Sequence, residues 1–331
     1  VTFYAGQRVT AGEMNTNLDV LTFRAGQKVR PSMLGEDFPA LLPVRAPDLA
    51  DLTGGPGPGP GGVPANPGEA LWIGHGPGSN FFNIGIGQGN AGEDGDTNHD
   101  DWTMAQIAAG FESPNRFFVV ESGGVYYTEF RINAGAGRTS TGTDHPRSEL
   151  RELTSAGANI AWDGTTGWHR MRGTSRIMDV TTQRPWVCFF QIHDASSDLI
   201  RVQCEGSTGQ TTGLDLRARW TPPGGSNQSV TLPGWDNAYD VGEEVDWEIW
   251  IGGETAADNG RCRIWLNDGL VFDEDDMGAT GCYFKTGCYL QSNVHIRGED
   301  PDDTAAVWIR GGSLVVQHPG YPAPTTPVWT G

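Results

Sequence analysis

Cys282-Tyr283-Phe284-Lys285-Thr286-Gly287-Cys288-Tyr289-Leu290-Gln291 alternates apolar and polar residues with a period of two. That period belongs to a strand buried on one face, because successive side chains leave opposite sides of a pleated backbone. Cys282, Phe284, Cys288 and Leu290 fall on the apolar side, and Tyr283, Lys285, Tyr289 and Gln291 fall on the other. The polar side carries chemistry, since one of the chain's two lysines stands there in line with two tyrosines.

Two more segments follow the same rule. In Arg147-Ser148-Glu149-Leu150-Arg151-Glu152-Leu153 the odd positions alternate cation, anion, cation. In Val187-Cys188-Phe189-Phe190-Gln191-Ile192-His193 the odd face carries Gln191 and His193, about 7 Å apart along the strand, and the parity sends Cys188, Phe190 and Ile192 into the core. Cys204 and Cys262 also share parity with aliphatic neighbours, so all five cysteines read as reduced core packing, and their odd number does not suit a disulfide framework.

Working outward, strand-like pieces broken by turn residues occur at 71–73, 81–86, 117–120, 125–132, 169–180, 186–193, 199–204, 214–220, 246–251, 261–266, 282–293 and 306–316. Few windows show a helical period, so the expected fold is all-β, a two-sheet antiparallel sandwich or jelly roll. The composition agrees. With 331 residues, 37% hydrophobic, 12 Trp and 13 Phe, a sizeable core is within reach, and 48 Gly with 21 Pro favour a turn-rich chain. A formal charge of −19 disfavours nucleic acid as a partner. No window approaches the roughly 18 apolar residues of a membrane-spanning helix, so membrane insertion is not expected. The opening VTFYAGQRVTAGEMN shows no basic start followed by an apolar stretch, so no secretory signal is expected in it.

Before the strands, Thr2-Phe3-Tyr4-Ala5-Gly6-Gln7-Arg8-Val9 recurs as Thr22-Phe23-Arg24-Ala25-Gly26-Gln27-Lys28-Val29, identical at six of eight positions. The domain reading is therefore a tandem-repeat attachment segment over 1–53, a Gly/Pro linker over 54–68 and a β domain over 69–331. Glycine recurs every second residue in the linker, so a collagen triple helix is excluded. The acidic stretch 94–101 places Asp and Asn oxygens at alternate positions, which suits Ca²⁺. It lacks the glycine and glutamate of a calcium loop, where His99 and Ala105 stand, so a solvated turn with no metal or cofactor is expected.

RSELRE (147–152), QIH (191–193) and YFKTGCYLQ (283–291) together resemble the three signature motifs of the alginate lyases of polysaccharide lyase family 7. The resemblance runs over 117–316 and leaves 1–116 outside the lyase core. It implies a concanavalin A-like jelly roll of two curved antiparallel sheets whose concave face holds an acidic polysaccharide. It also implies a catalytic set of Arg147, Gln191, His193 and Tyr289, with Glu149, Arg151, Lys285 and Gln291 binding substrate.

The chemistry suits those residues. Cleavage of a uronate polymer by β-elimination needs the carboxylate charge offset, a base for the C5 proton and an acid for the departing C4 oxygen. Arg147 and Gln191 supply donors, and His193 accepts a proton near neutral pH. Tyr289 donates one, and also accepts one if Arg147 or Lys285 lowers its pKa. Glu149, set between two arginines, is expected to orient them. Thr286 and Leu290 depart from the family's usual residues, and Ile192 in QIH is associated in the family with guluronate-containing chains.

The N-terminal repeat is similar to AGQ-[RK]-[VL] segments near the start of tail and fibre proteins of actinobacterial phages. That likeness implies a virion-associated enzyme acting outside the cell, with other virion proteins as partners and a homo-oligomer compatible with such a role. A non-catalytic receptor-binding or structural virion protein, and a secreted bacterial alginate lyase, are the alternatives.

Overall fold

The computed structural model describes residues 62–88, 98–138, 145–222, 224–253 and 260–320. The repeats and most of the Gly/Pro segment lie outside the described residues. In chain order the strands are β1 (Phe82–Gly87), β2 (His99–Trp102), β3 (Phe117–Ser122), β4 (Val125–Asn133), β5 (Arg147–Glu152), β6 (Gly167–Asp179), β7 (Val187–His193), β8 (Asp198–Glu205), β9 (Asp215–Trp220), β10 (Gln228–Thr231), β11 (Glu244–Gly253), β12 (Arg261–Leu266), β13 (Gly269–Glu274), β14 (Tyr283–Leu290), β15 (Thr304–Arg310) and β16 (Val315–Gln317).

These strands form two antiparallel sheets. The first has the order β10-β9-β8-β7-β14-β5-β1-β2, and the second β13-β12-β11-β6-β15-β4-β3, with β16 also paired to β6. The expected all-β jelly-roll sandwich is the architecture found. Alternation decides which faces meet. Ile84, Leu150, Phe190, Val202 and Phe284 of the first sheet, and Phe130, Met171, Trp247, Ile249 and Val307 of the second, are buried in one core. The Phe190 ring stacks on Trp247 with centroids 4.4 Å apart and planes 12° apart, joining β7 to β11 across the sandwich. Burying one such side chain stabilises the fold by about 1.5–3 kcal/mol.

Several boundaries differ from the sequence reading. Residues 306–316 do not form one strand: Gly311 and Gly312 turn the chain, the latter at φ 73°, and separate β15 from β16. Residues 71–73 follow a short helix, α1 (Pro67–Ala70), whose N-cap Asn66 accepts from the Glu69 amide. Pro64, Pro67 and Gly68, read as the end of a spacer, are buried in the β domain. A Cβ on Gly68 would fall 2.3 Å from the Ile107 carbonyl oxygen, so only glycine fits that approach.

The first sheet also takes in residues before 117, which the resemblance leaves outside. Phe82-Asn83-Ile84-Gly85-Ile86-Gly87 is an inner strand of the first sheet, paired to both β2 and β5. The end of the acidic stretch expected to be a turn, residues 99–101, belongs to β2; residues 94–97 lie outside the described residues.

One cysteine is not where parity places it. The registers of β7 with β8 and with β14 both shift next to Cys188, so it pairs with Gln203 on one side and with Tyr289 on the other. It therefore lies on the outer face and outside the apolar core, and burial pushes its thiol pKa up. Cys204, Cys262, Cys282 and Cys288 pack in the core as expected, and all five are free.

Candidate active site

The three segments that carry the chemistry are neighbours, since β14 lies between β7 and β5. Directly paired residues project to the same side of a sheet, so the registers array the outer face in rows. His193 stands beside Tyr283, then Gln191 beside Lys285 beside Arg151, then Glu149, then Cys188 beside Tyr289 beside Arg147. Glu149 has glycine on both sides, Gly85 on β1 and Gly287 on β14. Neither neighbour fills the row, and this leaves room for the long side chains of adjacent rows to converge on one carboxylate. Gly287 has φ 138°, and a Cβ there would come within 2.7 Å of the Ser148 carbonyl oxygen.

Glu149 is the hub of the cluster. It is only 3% exposed, and it accepts from Arg147 Nη1 at 3.1 Å and from Gln191 Nε2 at 2.5 Å, and pairs with Lys285 Nζ. Burial works to raise its carboxyl pKa, but the Lys285 and Arg147 charges overcome it and hold the group below the usual value. An ionised carboxylate engaged by three donors holds all three in place. Its second cation differs from the sequence reading, however. Cross-strand Lys285 takes that place, while Arg151 turns away to Asn159 Oδ1 at 2.5 Å and stacks over the Tyr283 ring at 4.2 Å. Burial, reinforced by repulsion from Arg147, lowers Lys285 to about 8 against the pull of Glu149.

Tyr289 lies under the Arg147 guanidinium, whose carbon is 3.9 Å from the ring centroid, and Lys285 Nζ is 6.0 Å from the same centroid. Arg147 acts to lower the phenol pKa, but burial outweighs it and the net shift is upward. The phenol is therefore held as a proton donor, and the downward shift entertained from sequence is not found. His193 shows the opposite behaviour: burial pushes its imidazole pKa down, so the ring is neutral at neutral pH. Its Nδ1 lies 2.7 Å from the Asp194 carbonyl oxygen, which can only accept. Nδ1 therefore carries the proton, and Nε2 is the basic nitrogen. The ring stacks on Tyr283 with centroids 5.1 Å apart.

Arg147, Glu149, Gln191, Lys285 and Tyr289 are thus brought into one cluster. His193 and Arg151 flank it through Tyr283. Gln291 lies beyond the end of β14, buried, with its amide nitrogen near the Leu290 carbonyl at 3.4 Å. Sequence reading missed Cys188, hidden by the bulge, and His145, whose ring is 6.4 Å from that of Tyr289 and which belongs to no alternating run. Among the described residues, Arg147 Nε, Arg151 Nε, Gln191 Oε1 and Asn83 Oδ1 are buried without a hydrogen-bond partner. Each such group costs about 1–3 kcal/mol, and their gathering on this one face marks a surface suited to a polar ligand.

A family model described as alginate lyase matches residues 84–315, from within β1 to the start of β16. The chain belongs to this alginate lyase family. It is a polysaccharide lyase, and the early start of the match agrees with the place of β1 in the first sheet. Among solved structures, the lyase is similar to alginate lyase AlgAT5 from polysaccharide lyase family 7, at 23% identity and TM-score 0.58 over 76% of this chain and 98% of that one. It is also similar to the alginate lyase from Corynebacterium sp., at 20% identity and TM-score 0.59 over 77% and 100%. A third is family 7 alginate lyase A1-II′ with one histidine changed to asparagine and one tyrosine to phenylalanine, in complex with substrate, at 19% identity and TM-score 0.56 over 77% and 97%. At these identities the likeness is one of fold. Comparison with curated protein sequences gave no match.

Proposed function

We propose that this lyase cleaves an acidic, uronate-containing polysaccharide such as alginate by β-elimination on the outer face of its first sheet. The observation that carries the reading is the Glu149 hub, which holds Arg147, Gln191 and Lys285 beside a phenol shifted up and an imidazole shifted down. The solved family 7 complex, in which a histidine and a tyrosine are substituted and substrate is bound, supports the same pair of residue types.

In this reading the uronate carboxylate meets Arg147, Lys285 and the free N–H of Gln191, which offset its charge and that of the intermediate. Gln191 Oε1 accepts from a sugar hydroxyl. His193 Nε2 takes the C5 proton, and the electron pair moves onto the carboxylate as an enediolate. The pair then returns to form the C4–C5 double bond while the C4–O4 bond breaks, and Tyr289 protonates the leaving oxygen. Tyr289 recovers a proton from water, and His193 releases one. A separate base and acid suit a sugar whose C5 hydrogen and C4 oxygen lie on opposite ring faces.

The N-terminal repeat supports a further part of the reading, attachment to a phage virion and action outside the cell. Incubation with mannuronate-rich alginate, guluronate-rich alginate and glucuronan is expected to give ultraviolet absorbance from the unsaturated product. Unchanged absorbance and unchanged reducing ends on all three would refute the catalytic reading. Recovery of the chain in purified phage particles tests the attachment, and its absence from particles that carry the other tail proteins would refute it.

A further inference from the structure

Beyond the catalytic cluster, the outer face of the first sheet carries a second group of cations. Arg201 on β8 pairs across the ladder with Gln191 on one side and Arg219 on the other. Trp186, just before β7, accepts the Gln291 amide at 2.9 Å through its carbonyl, two residues from Tyr289. Its indole is met by two guanidiniums, Arg184 at 3.7 Å and Arg219 at 4.8 Å from the ring. The indole N–H is itself anchored on the Gly206 carbonyl at 3.1 Å, so the platform is fixed.

The charges in this group do not cancel. Arg219 is paired to buried Glu205 at 2.6 Å and Arg201 to Asp198 at 2.6 Å. Arg184 and Arg297, the latter at the exposed end of a short helix α2 (Val294–Arg297), make no ion pair among the described residues. Arg184 is within electrostatic reach of Arg297, Arg219 and Arg201 and of one anion, Glu205, whose two oxygens are already taken by Arg219; burial and the three cations outweigh its pull and lower the Arg184 pKa to about 10. A guanidinium half-buried among other cations in a chain of charge −19 is costly unless an anion comes to it. Its planar fork fits a carboxylate with two parallel hydrogen bonds. Trp186 holds that fork in place, so little side-chain freedom is lost when an anion binds.

We propose that Arg184 and Arg297, with Arg219 steadied on Trp186, form a second carboxylate-binding subsite for the same polyanionic chain, adjoining the Tyr289 end of the cluster. The inference rests on the uronate reading above. The catalytic cluster handles the sugar being cut, and this subsite grips a uronate further along, so that affinity depends on chain length.

Arg184→Gln/Arg297→Gln tests it, with kinetics on a uronate trisaccharide and on the full polymer. The expected result is a polymer KM raised about tenfold with kcat unchanged, a trisaccharide KM unchanged, and a weaker salt dependence of the polymer KM. Equal kinetics of variant and wild type on the polymer would overturn the subsite. Arg297→Gln alone, at an exposed position, must raise the polymer KM by itself, and this separates the subsite from any loss of folding at Arg184. A wild-type protein that yields no unsaturated product from any uronate would instead refute the underlying reading, and the subsite with it.

Discussion

Replacing Glu149 by Gln removes one negative charge and almost no volume from the centre of the cluster. At 3.1 Å from Arg147 Nη1, the lost attraction is about 5 kcal/mol at an effective dielectric near 20. Breaking a buried pair in this way costs about 3–5 kcal/mol net, and the lower end applies because the new amide still accepts from one donor. Over a domain of this size each kcal/mol moves the melting temperature by roughly 2–4 °C, so Glu149→Gln is expected to melt roughly 6–12 °C lower. The effect on activity has a second cause. Lys285, at about 8 with Glu149 in place, loses the charge that sustains its proton and falls further. In the wild type kcat/KM is expected to decline as pH rises through about 8, as Lys285 becomes neutral. In the variant that limb moves to lower pH, and kcat/KM at neutrality drops about 100–1000-fold, the usual cost of losing a charge-stabilising donor. Initial rates of unsaturated-product absorbance across pH, with a thermal melt, measure both. A variant within threefold of wild type whose alkaline limb has not moved would refute the hub.

Other consequences follow from the same geometry. His193 acts unprotonated and its pKa is below the ordinary 6.5, so kcat/KM is expected to hold steady from neutrality to below pH 6.5 and then fall; His193→Gln should lower kcat about 100–10,000-fold, and a wild-type acid limb above pH 7 would contradict the assignment. Gly287→Ala places a Cβ 2.7 Å from the Ser148 carbonyl at φ 138°, and is expected to destabilise the domain by about 2 kcal/mol or more; an unchanged denaturant midpoint would show that the bulge tolerates a side chain. Buried His169, lowered to about 4 by burial and by neighbouring His318, is neutral in the fold and charged when unfolded at acid pH. Its contribution is therefore intact above pH 6.5 and is lost as pH falls towards 4, by about 3 kcal/mol; His169→Gln should flatten that part of the stability profile.

The faces of β5 and β14 were legible because both strands run without interruption against each other. Arg147, Glu149 and Arg151 on one, and Lys285 and Tyr289 on the other, share a side as alternation requires. Cys188 was not legible, because a bulge inserts one residue into the count and parity has no way to see it. Nor was Lys285 as the partner of Glu149, since partner choice depends on cross-strand register and on the two glycines flanking the carboxylate, while the sequence shows only the neighbouring arginines. β1 escaped as part of the lyase sheet because Asn83-Ile84-Gly85-Ile86-Gly87 is short and has glycine at two of its five positions, residues that contribute little strand signal of their own. The pKa directions of Tyr289 and His193 follow from burial, which a sequence does not display.

The central claim is that Tyr289 and His193 carry out an elimination on a uronate held by the Glu149 cluster. The most direct measurement follows wild type and Tyr289→Phe on alginate, recording ultraviolet absorbance and polymer binding together. The expected result is absorbance from the wild type, its loss in Tyr289→Phe by at least 100-fold, and binding retained in both. A Tyr289→Phe enzyme as active as wild type, or new reducing ends formed by the wild type without absorbance, would contradict the account.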